Sequence, residues 1–105
     1  MIPFFVWQDR VLRKVNPEEV LFLETIGNYT KIFMSDKTYY MVRSTLSGAL
    51  KKLSPEIFLK THRGYAVSVL HIDDIARDHL LVLETSIPIA KQYYRSLIKK
   101  LNIID

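Results

Sequence analysis

Apolar and polar residues alternate at strand spacing over most of the chain and switch to helical spacing only twice. Ile2 to Trp7 and Val11 to Val15 are short β-rich runs separated by Gln-Asp-Arg, which predicts a hairpin. Asn16-Pro17-Glu18-Glu19 predicts a turn or a single helical turn, because proline suits a first helical position and acids favour a helix N-terminus. "VLFLETI" (20–26) reads as a strand buried on both faces near its start. Gly27-Asn28 is turn chemistry, since both residues tolerate positive φ. "YTKIFM" (29–34) and "TYYMVR" (38–43) flank Ser35-Asp36-Lys37 and predict a second hairpin.

Helical spacing first appears after Ser44 or Thr45, either of which can cap a helix running to about Leu53. Leu46, Ala49, Leu50 and Leu53 share one face, and Lys51 and Lys52 point outward. Gly48 weakens this helix by roughly 1 kcal/mol relative to Ala, so packing must hold it. Ser54-Pro55 ends it. In "FLKTHRGYAVSV" (58–69) two apolar segments flank a polar knot, Lys60 to Gly64, which reads as a surface loop. A strand near 72–76, a turn around Asp78-His79 and a strand pair in "LLVLETSIPI", broken near Thr85-Ser86, follow. The second helical stretch is "AKQYYRSLIKKL". Tyr93 or Tyr94, Leu97, Ile98 and Leu101 form its apolar stripe, and Lys91, Arg95 and Lys99 recur on the other face.

With 105 residues and no linker or repeat, residues 1–105 are expected to form one domain. Hydrophobic residues make up 49% of the chain, enough for a packed core and too many for disorder. No apolar run reaches the length of a membrane span, about 18 residues, and the start "MIPFFVWQDR" lacks the charged and apolar regions of a signal peptide. The absence of cysteine excludes disulfides, thiolate metal sites and thiol nucleophiles, and fits a cytoplasmic protein.

Charge is segregated. The net charge is +4, and three acid-free spans hold most of the cations. Lys37, Arg43, Lys51 and Lys52 lie between Asp36 and Glu56. Lys60 and Arg63 lie between Glu56 and Asp73. Lys91, Arg95, Lys99 and Lys100 lie between Glu84 and Asp105. Acids gather at Glu18, Glu19 and Glu24 and at Asp73, Asp74 and Asp78, so one basic and one acidic face are expected.

The candidate chemistries separate on motif. His62, His71 and His79 are scattered and form no metal-ligand pattern, so no metal or other cofactor is expected. There is no phosphate loop and no nucleophile elbow, so an enzyme is not expected. Binding to a polyanion fits better. Lys and Arg neutralise phosphates, and Asn, Arg or Gln on exposed turns reach base edges. Such residues occur on three turns: Asn28, Arg63, and Lys91 with Gln92. Each alone has a plainer reading: Asn28 as a turn former, Arg63 as a cap on the preceding strand edge or the partner of an acid, Lys91 as a solvated charge. The set of three carries the case. An RNA-binding or protein-interaction β module is the competing interpretation.

Specific motifs also resemble a family. From about Phe4 to Leu101 the sequence is similar to LytTR-type DNA-binding domains, the output domains of LytR/AlgR-class bacterial response regulators. "VLFLETIGNYTKIFMSDKTYYMVRSTLSGALKKL" resembles the family's Gly-Asn-Tyr turn, hairpin, Val-Arg-x-Thr-Leu and Leu-rich helix. "FLKTHRGYAVSVLHIDDI" resembles its His-Arg-Ser-Tyr signature, and "IPIAKQYYRSLIKKL" its Ile-Pro-Val-Ser-Arg ending. The resemblance implies a mainly β fold of about ten short strands in small antiparallel sheets, with two or three short helices at the side. It implies recognition of double-stranded DNA by loops, with Asn28, Tyr29 and Lys31, then Lys60, His62 and Arg63, then Lys91, Gln92 and Arg95 as contacts. It also implies transcriptional regulation, a dimer on paired direct repeats, and a receiver domain with a sensor kinase. The chain has no room for a receiver, so an excised output domain or a stand-alone regulator is expected. Gly64 and Ser68 depart from the usual Ser and Asn, and Lys60 and Lys91 replace the more frequent Arg, which a point charge does not imitate. For His62 two roles stay open: a groove contact, or an inward residue that fixes its loop through a backbone hydrogen bond.

Overall fold

The computed structural model describes residues 1–105 as ten strands, two α-helices and two 3-10 turns. In chain order they are β1 (Phe4–Gln8), β2 (Val11–Val15), β3 (Val20–Ile26), β4 (Tyr29–Met34), β5 (Tyr39–Val42), α1 (Leu46–Leu50), β6 (Phe58–His62), β7 (Tyr65–Ser68), β8 (Ile72–Ile75), β9 (His79–Val82), β10 (Thr85–Pro88) and α2 (Lys91–Lys99). The 3-10 turns, Pro17–Glu19 and Val69–His71, precede β3 and β8.

A five-stranded antiparallel sheet, ordered β5-β4-β3-β7-β6, forms the centre. The β1-β2 hairpin and α1 cover one face and enclose Val6, Val15, Val20, Leu23, Ile32, Met34, Leu46, Phe58 and Ala66. The three-stranded β10-β9-β8 sheet and α2 cover the other, around Leu21, Phe22, Leu59, Val67, Leu80, Val82, Ile87, Ile89 and Leu97. Strand β3 supplies both cores, as expected for a run apolar on both faces. A bulge between Val20 and Phe22 lets Leu21 and Phe22 both join the second core.

The expected hairpins form, the first with a shorter turn and the second with a longer one, Ser35 to Thr38. Asp9 and Arg10 alone turn β1 into β2, both with positive φ (51° and 66°), the backbone that matches strand twist. Thr45 caps α1 by accepting from the Gly48 N–H at 3.0 Å. A Cβ on Gly48 would meet Ser44 Oγ and Thr45 Oγ1 at 3.0 Å, so a larger residue there would press on the cap.

Three expectations need correction. Helix α1 ends at Leu50, and 51–53 form a turn, because the Lys52 and Leu53 N–H groups bond the carbonyls three residues back, Ala49 and Leu50, which tightens the end of the helix. The break in 80–89 falls at Leu83-Glu84, where Leu83 takes φ 54° and its N–H bonds the Asp73 carboxylate at 2.7 Å, so Thr85 and Ser86 are strand residues. The polar knot is strand for three of its five residues. Lys60, Thr61 and His62 belong to β6, with a bulge at Thr61, and only Arg63-Gly64 form the turn.

Candidate nucleic-acid interface

Two tight turns meet at one end of the central sheet. Gly27-Asn28 joins β3 to β4 across the Ile26–Tyr29 pair. Arg63-Gly64 joins β6 to β7. Strands β3 and β7 are neighbours, and the Thr25 N–H donates to the Gly64 carbonyl at 2.9 Å, so the two turns share one ladder. Asn28, Tyr29 and Arg63 are all exposed.

Gly27 adopts the left-handed backbone that this turn requires (φ 57°), and Asn28 does not. The conformational reason for an asparagine at 28 is therefore absent, and its amide projects without a backbone duty. The pairing of Arg63 with an acid is removed as well. The one ion pair within 4.0 Å joins His79 to Asp78, so none of the 15 Lys and Arg side chains is matched with a carboxylate.

Asn28, Tyr29, Arg43 and Arg63 line one cleft of about 530 Å³, whose other lining residues include Ser44 and Thr45 and no acid. Arg43 was not singled out from the sequence as a contact. It follows β5 directly, and the buried Thr30 hydroxyl donates to the Ser44 carbonyl at 2.8 Å, which fixes the Arg43-Ser44 backbone against β4. The signal that could have found it was its place in an acid-free span, immediately before the α1 cap.

The third predicted segment joins through β6. Ala90, which precedes α2, donates its N–H to the Thr61 carbonyl at 2.8 Å, so the helix starts beside the strand that leads into Arg63. No side chain caps α2 and no acid lies in its first turn. Its free N–H groups, with exposed Lys91 and Gln92, favour an anion there. Gln92 and Arg95 line a groove along the helix with Ser96, Lys99 and Lys100.

Two lysines sit apart from the cleft. Lys31 alternates with the core residues Thr30 and Ile32, so it lies on the opposite sheet face, with its ammonium 4.1 Å from the Tyr39 ring centre and 4.8 Å from that of Phe33. Lys60 lies 5.7 Å from the ring centre of Tyr93. His62 is half-buried. Its Nδ1 accepts from the Gly64 N–H at 3.0 Å, and its ring meets Tyr65 edge-on, with centroids 5.8 Å apart. Tyr65 in turn donates to Glu24 Oε2 at 2.7 Å, which raises its phenol pKa. The local bond expected of an inward His62 is present.

The departures at 64 and 68 have simple consequences. A Cβ at Gly64 would lie 3.6 Å from His62 Nδ1, an ordinary contact, so the turn has room for the usual serine. Ser68 is buried and its Oγ accepts from the Leu70 N–H at 3.3 Å, capping the second 3-10 turn. No helix is long and apolar enough to cross a membrane.

Comparison with solved structures finds a LytTr DNA-binding domain from Bacillus cereus, from a protein described as a methyl-accepting/DNA response regulator. It is 20% identical to this chain, with a TM-score of 0.81, and the match covers 96% of this chain and 97% of that one. At that identity the likeness establishes the fold. Comparison with curated proteins gives no match. The family model for the LytTr DNA-binding domain matches residues 10–102, a span that contains all three turns and both helices. The chain belongs to the LytTr DNA-binding domain family.

Proposed function

We propose that the chain binds double-stranded DNA sequence-specifically and regulates transcription in the cytoplasm as the output domain of a two-component response regulator. One observation carries the proposal. Asn28, Arg43 and Arg63, all exposed and free of carboxylate partners, converge on one acid-free cleft. A fork of guanidinium donors and a side-chain amide on rigid two-residue turns suits the donor and acceptor pattern of the major groove. Arg63 reads guanine through O6 and N7, and Asn28 reads an adjacent base edge. Arg43, Lys60, Lys91, Gln92 and Arg95 hold flanking phosphates, and Tyr29 packs against the backbone. Lys31, on the far sheet face, reaches at most a flanking phosphate. His62 positions the Arg63 turn. Two copies bind paired direct repeats, each reading one.

Binding rather than catalysis follows from what these groups can do: they supply charge and hydrogen-bond donors to a polymer. The test is selection of bound sequences from a random duplex library, followed by titrations on the selected duplex, random duplex, single-stranded DNA and RNA. A strong preference for one duplex sequence is expected, with log K falling against log[salt] at a slope of about −5 to −6. Equal affinity for all four polymers would defeat the proposal.

A further inference from the structure

The recognition cleft has a neighbour of opposite character. Between β1, the β4-β5 hairpin and α1 lies a pocket of about 620 Å³ with 11 hydrophobic residues among its 15 lining residues. That volume is within the roughly 300–1,000 Å³ range of small-molecule sites, which are mostly apolar with a few placed polar groups. Core residues Leu23 and Ile32 line it, and so do Phe5 and Trp7, which are 57% and 67% exposed. Aromatic side chains held open to water over an unfilled pocket mark a surface that gains from being covered. The only charged residues lining it are Arg43 and Lys52, both exposed and neither paired with a carboxylate. Tyr29, Arg43 and Ser44 line this pocket and the recognition cleft alike.

We propose that this pocket binds a free amphiphile with an apolar chain and a carboxylate head, and that its occupancy weakens DNA binding by engaging Arg43. The apolar lining takes the chain, and Arg43 and Lys52 take the head by charge-assisted hydrogen bonds. A neutral amphiphile would leave both cations unmatched, and a cationic one would meet repulsion. Arg43 then serves either the carboxylate or a DNA phosphate, and the two ligands oppose each other reciprocally. The coupling rests on the DNA-binding proposal; the ligand site does not.

Trp7 is the only tryptophan in the chain and lines the pocket, so its fluorescence reports occupancy directly. The probe is decanoate below its micelle concentration. A saturable change is expected, tightening about fourfold per methylene from hexanoate to decanoate. Decanol and decyltrimethylammonium should bind more weakly. Lys52→Ala should weaken decanoate by up to about fivefold, and Lys52→Glu by more. Lys37→Asn removes a charge elsewhere while suiting the φ of 72° at that turn, and should change nothing. Absence of saturable binding, or equal binding of the cationic amphiphile, overturns the site. Decanoate at a concentration that fills wild type but leaves Lys52→Glu largely empty should lower affinity for the selected duplex in wild type and not in the variant. Binding of decanoate with unchanged duplex affinity overturns the coupling. A protein that binds no duplex overturns the DNA-binding proposal, while the fluorescence titration still decides the pocket.

Discussion

His62 Nδ1 accepts the backbone N–H of Gly64 at 3.0 Å, so the histidine closes the turn that presents Arg63. This is the geometry an asparagine provides in an Asx-turn, where the side chain bonds the backbone two residues on. Accepting through Nδ1 leaves the neutral ring's proton on Nε2. The ring is further held edge-on against Tyr65, which is itself tied to Glu24. A positioned turn loses less freedom when its arginine enters a groove.

His62→Ala is therefore expected to weaken binding to the selected duplex, by about the 0.5–1.5 kcal/mol of one hydrogen bond. His62→Asn should restore most of that loss, and neither variant should alter random-duplex affinity much. Anisotropy titrations of both variants check this. If Asn is as poor as Ala, the imidazole touches DNA itself and the positioning role is wrong.

Arg63→Ala and Asn28→Ala should each cost about 1–3 kcal/mol on the selected duplex and little on random duplex, because base contacts discriminate. Arg43→Ala should weaken both alike and reduce the salt slope by about 0.9, the signature of one phosphate contact. Paired titrations at several salt concentrations separate the classes. Equal losses on both duplexes for Arg63→Ala would make it an anchor.

The Tyr65–Glu24 hydrogen bond joins β7 to β3 at the end of the sheet that carries the Asn28 and Arg63 turns. Tyr65→Phe should lower stability at neutral pH by about 1 kcal/mol. The phenol pKa is raised above its ordinary 10.0, first by the bond to Glu24, then by burial. A raised pKa means the fold favours the neutral phenol. That contribution is complete below 10.0 and is lost as pH rises through the shifted value. Urea unfolding of both proteins should show the gap closing on the alkaline side. A constant gap would mean that packing, not the hydrogen bond, sets it.

Most of the architecture was readable because burial shows in the sequence: β4 alternates, while β3 and β7 carry continuous runs buried on both faces. Boundaries were less readable. Nothing local distinguishes Leu83 from Thr85 as the turn, since the choice depends on the Asp73 carboxylate reaching the Leu83 N–H from β8. The Arg63 and Asn28 turns were visible as polar breaks between apolar runs, but their sharing of one cleft follows from the β3-β7 pairing, a contact between distant segments. Arg43 escaped for the same reason. Its neighbours in the cleft are set by the Thr30–Ser44 bond and the strand order.

Thr61 is where that folding logic leaves a cost. It sits at the β6 bulge, and its carbonyl holds the start of α2 through Ala90. Its side chain is fully buried, with 0% exposure, and its hydroxyl has no hydrogen-bond partner. An unmet buried hydroxyl costs on the order of 1–3 kcal/mol. Valine keeps the branched shape that suits a strand and removes the hydroxyl. The carbonyl bond to Ala90 is main-chain and survives the change. Thr61→Val should therefore raise stability, by about 1 kcal/mol, with duplex affinity unchanged because no cleft side chain moves. Thermal and urea unfolding of the variant give the sign. A clear loss of stability would show that the hydroxyl is satisfied by a buried water.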